Sequence, residues 1–188
     1  TLEDLQPLYQ AVAHGCLAGM QQAACDDVYH ARILRREEKY STKKLGAFGS
    51  DLGAAACFFE QPWRRVSPAL SEVDQAWLLA VAAFNLRALG RLTEALEPMR
   101  AGLEMGVKQA NWKEAAIRAS NLSELELTLG DAAAAVADAA QSVTHADRSG
   151  DAFQQMSKRA THADALHQAG RRVEAEALFR EAERMQAE

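Results

Sequence analysis

The stretches Ala88-Leu89-Gly90-Arg91-Leu92-Thr93-Glu94-Ala95, Thr128-Leu129-Gly130-Asp131-Ala132-Ala133-Ala134-Ala135 and Gln168-Ala169-Gly170-Arg171-Arg172-Val173-Glu174-Ala175 follow one another at a spacing of 40 residues. Each holds a glycine and, five positions later, an alanine. Self-similarity at a fixed period of roughly 20–50 residues marks a stacked repeat architecture. The glycine supplies the left-handed cap that ends one helix, and the alanine lets the next helix cross it closely.

Other positions keep the same phase. Ala83, Ser123 and Ala163 are small, seven residues before the glycines. Met99, Ala139 and Phe179 lie nine residues after them, and Gly102, Ser142 and Ala182 twelve after. The pattern predicts six helices over about 72–89, 92–106, 111–129, 132–147, 151–169 and 172–186. Ser71 with Asp74, Asp131 and Asp151 stand where side-chain oxygens cap first-turn amides. Ser149-Gly150-Asp151 is a turn signal.

Working outward, residues 3–18 read as a helix with Leu5, Leu8, Val12 and Cys16 on one stripe. Gly19 is again followed five residues on by Ala24, and a second helix through Val28, Ala31 and Leu34 completes a degenerate first repeat. The span 41–60 reads as helical but interrupted by Gly46, Gly49 and Gly53, which implies a bend, a junction or close packing. Residues 61–70, with Pro62, Trp63, Arg64, Arg65 and Pro68, read as a connector. The expected organisation is therefore 1–60 degenerate helical repeats, 61–70 connector, and 71–188 three repeats (about 71–110, 111–150 and 151–188). The fold class is all-α, an α-solenoid of antiparallel helix pairs.

Composition narrows the function. The 188 residues are 48% apolar, with a net charge of −5. That balance argues against a nucleic-acid binder, which carries a strongly basic face. No apolar run reaches the length of a membrane span. The opening residues do not resemble a secretory signal, and a start at Thr1 suggests a piece excised from a longer protein. Three cysteines without CxxC spacing fit a reducing, cytoplasmic setting. His14, Cys16, Cys25 and His30 are metal-ligand types, but their spacing matches no standard zinc pattern, so neither metal nor cofactor is expected.

Chemistry is equally sparse. Gly46-Ala47-Phe48-Gly49-Ser50-Asp51-Leu52-Gly53 misses the spacing of a phosphate loop. His162 and His167 diverge on a helix, as do Glu124 and Glu126. The expectation is a non-enzyme. Arg32, Arg35, Arg36, Lys39, Lys43 and Lys44, offset only by Glu37 and Glu38, either meet an acidic partner, an anionic ligand or a neighbouring domain, or form a solvated helix end. Trp63-Arg64-Arg65 either anchors an interface or pins the connector.

The phased glycine, alanine and small-residue pattern resembles the tetratricopeptide repeat, here at 40 residues in place of the usual 34. The long connectors Gly106–Asn111 and Asp147–Asp151 resemble those of the kinesin-light-chain-like subclass. The chain departs from the pattern where Leu86, Glu126 and Leu166 replace the aromatic residue four before each glycine, and the proline closing each unit is missing. A narrower likeness lies in Lys43-Lys44-Leu45-Gly46-Ala47-Phe48-Gly49, Phe58-Phe59-Glu60-Gln61-Pro62-Trp63 and Leu86-Arg87-Ala88-Leu89-Gly90-Arg91. These resemble the C-terminal repeat region of bacterial signal-transducing ATPases with a NACHT- or NB-ARC-type module.

That resemblance implies a right-handed solenoid whose first helices line a concave groove. It places Trp77, Phe84 and Arg87 there from one repeat, Ile117, Asn121 and Glu124 from the next, and Thr161, Asp164 and His167 from the last. An asparagine at the Asn121 position in such arrays bonds the backbone of an extended peptide. The carboxylate-clamp positions hold Ala80, Phe84, Asn121, Ser157 and Thr161, so only Asn121 matches that pattern. The implied role is a protein- or peptide-binding module, the sensor arm of a larger signalling ATPase. The alternative is a small-ligand- or peptide-responsive domain of a transcription regulator. Implied partners are a peptide with apolar anchors and a basic flank, other domains of the parent chain, or a second copy meeting through exposed terminal helices.

Overall fold

A computed structural model describes residues 1–187 of the chain. Its helices are α1 (Leu2–Leu17), α2 (Gln21–Ala23), α3 (Tyr40–Lys43), α4 (Phe48–Ala56), α5 (Glu72–Ala88), α6 (Leu92–Lys108), α7 (Trp112–Thr128), α8 (Ala132–Ser149), α9 (Ala152–Gln168) and α10 (Arg172–Ala187). α2 continues into a π-helix over Ala24–Ile33, and a 3₁₀ turn covers Arg36–Glu38. A short antiparallel hairpin, β1 (Phe59–Gln61) and β2 (Arg65–Val66), interrupts an otherwise all-α chain. The chain forms two compact units, Thr1–Ala101 and Gly102–Glu188, with the division inside α6.

The six helices expected after residue 71 are found, each within two residues of its expected bounds. Their ends are built alike. At the end of α7 the Gly130 amide donates to Leu127 O at 3.0 Å and the Asp131 amide to Glu126 O at 2.9 Å. This paired closure needs a left-handed residue at its centre, and Gly130 has φ +84°. Gly90 and Gly170 repeat both bonds with φ +73° and +80°. The alanines five residues on, Ala95, Ala135 and Ala175, are 0%, 0% and 1% exposed. The expected caps form as well: Asp131 accepts from the Ala134 amide and Asp151 from the Gln154 amide, both at 3.0 Å.

In the second unit α7 packs on α8, α8 on α9, and α9 on α10, while α7 also reaches α9. Alanines make these approaches close: Ala115, Ala116, Ala119, Ala139, Ala146 and Ala163 are fully buried. Arg159, only 15% exposed, clips three helices together. Its guanidinium donates to both Asp147 oxygens (2.8 and 3.1 Å) on α8 and to Glu181 (2.6 Å) on α10. Such bidentate, partly sheltered pairs hold geometry better than exposed ones. Phe179, by contrast, is 38% exposed.

The first unit departs from expectation in three places. The second helix is a π-helix: of Val28, Ala31 and Leu34 only Leu34 is buried, at 6% exposure, while Cys25, Tyr29 and Ile33, at 1%, 0% and 0%, make up most of the rest of its buried face. The wider i→i−5 bonding changes the period on which an α-helical stripe is read. Over 41–60, Gly46 makes a turn (φ +62°), but Gly49 and Gly53 lie inside α4, where an added Cβ meets nothing within 4 Å. They mark neither a bend nor close packing. Residues 59–66 are a hairpin whose turn is made by left-handed Trp63 (φ +64°), its ring edge-on to Phe59 at 5.4 Å. Strands of three and two residues are too short to show alternation.

Two glycines inside helices carry opposite expectations. A Cβ at Gly15 falls 2.9 Å from Ala24 Cβ, whereas at Gly106 the nearest atom, the Ala115 amide nitrogen, lies at 3.6 Å. Helix propensity alone favours alanine at either site by about 0.5–1 kcal/mol. Gly106→Ala is expected to realise that gain. Gly15→Ala is expected to cost about 1–2 kcal/mol instead, since two rigid helices must move apart. Urea unfolding midpoints of the two variants check this pair of signs.

Candidate functional site

In the first unit, α5 and the segment after the π-helix enclose a cavity of about 500 Å³. α5 supplies Trp77, Ala80, Val81, Phe84 and Asn85; the π-helix and its exit supply His30, Leu34, Arg36, Glu37 and Lys39; α3 supplies Thr42 and Lys43, and α4 supplies Asp51. Trp77 is held in place by its neighbours, with Tyr29 at 5.6 Å and His30 edge-on at 5.4 Å. Phe84, 53% exposed, leans on Phe48 at 5.9 Å.

The floor is polar and closed. Asp51, 1% exposed, accepts from Tyr29 Oη (2.9 Å), Ser41 Oγ (2.8 Å) and Asn85 Nδ2 (3.3 Å). Burial raises its pKa above the ordinary aspartate value, and the hydrogen bonds from Ser41, Tyr29 and Asn85 work against that rise. The Asp51 carboxylate fixes which way the Asn85 amide faces, and leaves Asn85 Oδ1 buried without a donor among the described residues.

The rim is basic and its backbone unusual. Arg35, Arg36 and Lys39 all have left-handed φ (+52°, +56° and +46°). For non-glycine residues this conformation is costly, and such strain concentrates at functional sites. The Arg35 guanidinium lies 3.6 Å over the Tyr40 ring and ties the segment down. Arg36, Lys39 and Lys43 are exposed and make no ion pair among the described residues.

In the second unit the expected groove residues lie along α7 and α9. Ser120 Oγ donates to Thr161 Oγ1 at 3.3 Å, and Thr161 donates in turn to Ser157 O at 3.3 Å, so this hydroxyl is spent on joining the two helices. Asn121, half-buried in the middle of α7, has no hydrogen-bond partner among the described residues. Ile117 is half-buried, while Glu124 and Asp164 are exposed. Lys158, which sequence reasoning passed over, is 9% exposed. Burial lowers the pKa of its ammonium, and the Glu124 carboxylate opposes that shift. A lysine on a helix reads as a solvated one, so no signal marked it.

Trp77 and Phe84 share the first-unit cavity, while Arg87 lies exposed in the last turn of α5 and does not line it. His167 sits apart from Asn121 and Thr161. It borders a shallow hollow with Arg172, Glu176, Phe179 and Arg180 on α10.

One group of three potential metal ligands is found among the described residues, Cys25, Asp26 and Asp74. It does not include His14, Cys16 or His30. Its carboxylates are already engaged: Gln22 Nε2 donates to Asp26 (2.9 Å) and Asp74 (2.8 Å), and Gln22 Oε1 accepts from the Ser71 amide (2.8 Å). Burial pushes the Cys25 thiol up to about 12, which keeps it protonated and a poor ligand. The cluster is a hydrogen-bonded clamp between the start of the π-helix and the start of α5. Compared with protein-family models, curated proteins and solved structures, the chain matches none of them.

Proposed function

We propose that the chain is a non-catalytic module of tetratricopeptide-like repeats that binds an extended peptide or protein segment, the sensing arm of a larger bacterial signalling ATPase in the cytoplasm. The observation that carries this reading is Asn121: an amide in mid-helix, half-exposed and without a hydrogen-bond partner among the described residues. A side-chain amide donates and accepts at once, which suits a peptide backbone. The repeated helix closures at Gly90, Gly130 and Gly170, and the buried alanines after them, support a stacked array. Ile117 offers an apolar contact beside Asn121. Glu124 and Asp164 favour a basic flank on the ligand, although Lys158 offsets part of that charge.

The test is selection of peptides from a random display library on the immobilised chain, followed by calorimetry on the enriched sequences. Enrichment of extended peptides with apolar anchors beside lysine or arginine is expected. Asn121→Ala is expected to weaken them about tenfold, the loss of a backbone-reading amide being worth about 1–2 kcal/mol, with the melting temperature unchanged. Absence of enrichment, or affinities indifferent to Asn121→Ala, rejects the reading.

A further inference from the structure

The first-unit cavity calls for a ligand of its own, independently of any peptide on α7 and α9. Its volume of about 500 Å³ lies within the range of small-molecule sites. Trp77, Val81 and Phe84 make part of the lining apolar, and Phe84 remains 53% exposed. An aromatic face that lines a cavity offers a ligand's apolar body a contact surface.

Charge selects the ligand's sign. Three cations, Arg36, Lys39 and Lys43, face one carboxylate, Glu37, around the opening. None of the three cations is neutralised by an ion pair among the described residues. The chain as a whole is acidic, with a net charge of −5, so this cluster runs against its surroundings. A cationic ligand finds no counterpart below. Asp51 is already bonded to Tyr29, Ser41 and Asn85. The left-handed backbone at Arg36 and Lys39 holds both residues at the edge of the cavity.

We propose that this cavity binds a small organic anion, with a planar apolar body against Trp77, Val81 and Phe84 and its acidic group toward Arg36, Lys39 and Lys43. The contacts divide the work: the aromatic wall provides affinity regardless of charge, and the rim discriminates sign. Exposed charges each contribute modestly and are screened by salt, so the sign preference is strongest at low ionic strength.

Three matched probes test this on the whole chain: 2-naphthoate, the neutral 2-naphthamide and the cationic 2-naphthylmethylammonium, titrated at low and high salt by ligand-observed NMR. Saturable one-to-one binding of the naphthoate is expected, at least fivefold tighter than the amide, with the ammonium weakest and the preference shrinking in salt. The double variant Lys39→Ala, Lys43→Ala changes only exposed residues. It should erase the naphthoate-over-amide preference and leave amide affinity unchanged. Phe84→Ala should weaken naphthoate and amide alike. Equal binding of all three probes, a preference that survives the double variant, or no saturable binding of any probe overturns the proposal.

Discussion

Asp51→Ala is expected to lower the stability of the first unit by about 4 kcal/mol. The substitution strips the acceptor from three donors at once. Tyr29, Ser41 and Asn85 are each 0% exposed, so none of them can turn to water instead. A buried polar group left unsatisfied costs about 1–3 kcal/mol, and a half-emptied network is worse than an apolar one. Asp51→Asn retains one acceptor oxygen and is expected to cost about half as much. Urea unfolding followed by tryptophan fluorescence measures both, since Trp77 lies against Tyr29.

The same residue gives a pH dependence of defined sign. Burial raises the Asp51 pKa above its ordinary 3.8, so the folded chain holds this proton at pH values where the unfolded chain has released it. Its contribution is therefore full below about pH 3.8 and declines as pH rises through the folded pKa. The stability gap between wild type and Asp51→Asn should narrow as pH increases above about 4. A gap that widens instead shows that the three donors outweigh burial.

Ala135→Leu is expected to cost about 2–3 kcal/mol in the second unit. Ala135 is 0% exposed in the first turn of α8, one turn beyond the closure at Gly130, and α8 is packed on both α7 and α9. Three added carbons have no room in a core built from alanines, and overpacking of this kind forces backbone shifts. Ala137→Leu, on the exposed face of the same helix, is the control and should change stability by less than about 0.5 kcal/mol. Equal effects at the two positions would mean that the alanine after each glycine is not a helix crossing.

Much of the second unit was legible beforehand because its determinants are local. Glycine at a helix end, an aspartate at the next start and small residues at fixed phase each act within a turn or two of their own position. The first unit was harder to read. A π-helix carries no period that an α-helical stripe reveals, and Gly49 and Gly53 sit harmlessly within α4 because nothing approaches them. The hairpin at Phe59–Val66 is too short to announce itself. Among the groove candidates, Asn121 was legible as a mid-helix amide. That Thr161 spends its hydroxyl on Ser120 was not legible, because that bond joins residues 41 apart in sequence.

The sequence by itself determined the all-α class, the 40-residue period, the positions of six helices and the residues that end and cap them, because each rests on backbone conformation and short-range hydrogen bonding. Only the tertiary structure decided that Trp77 and Phe84 share a cavity with Arg36, Lys39 and Lys43. It alone buried Asp51 beneath Tyr29, Ser41 and Asn85, and placed Lys158 beside Glu124. Those juxtapositions depend on which helix faces pack together. Packing joins residues about 10 to 50 positions apart through buried contacts that leave no periodic trace in the chain.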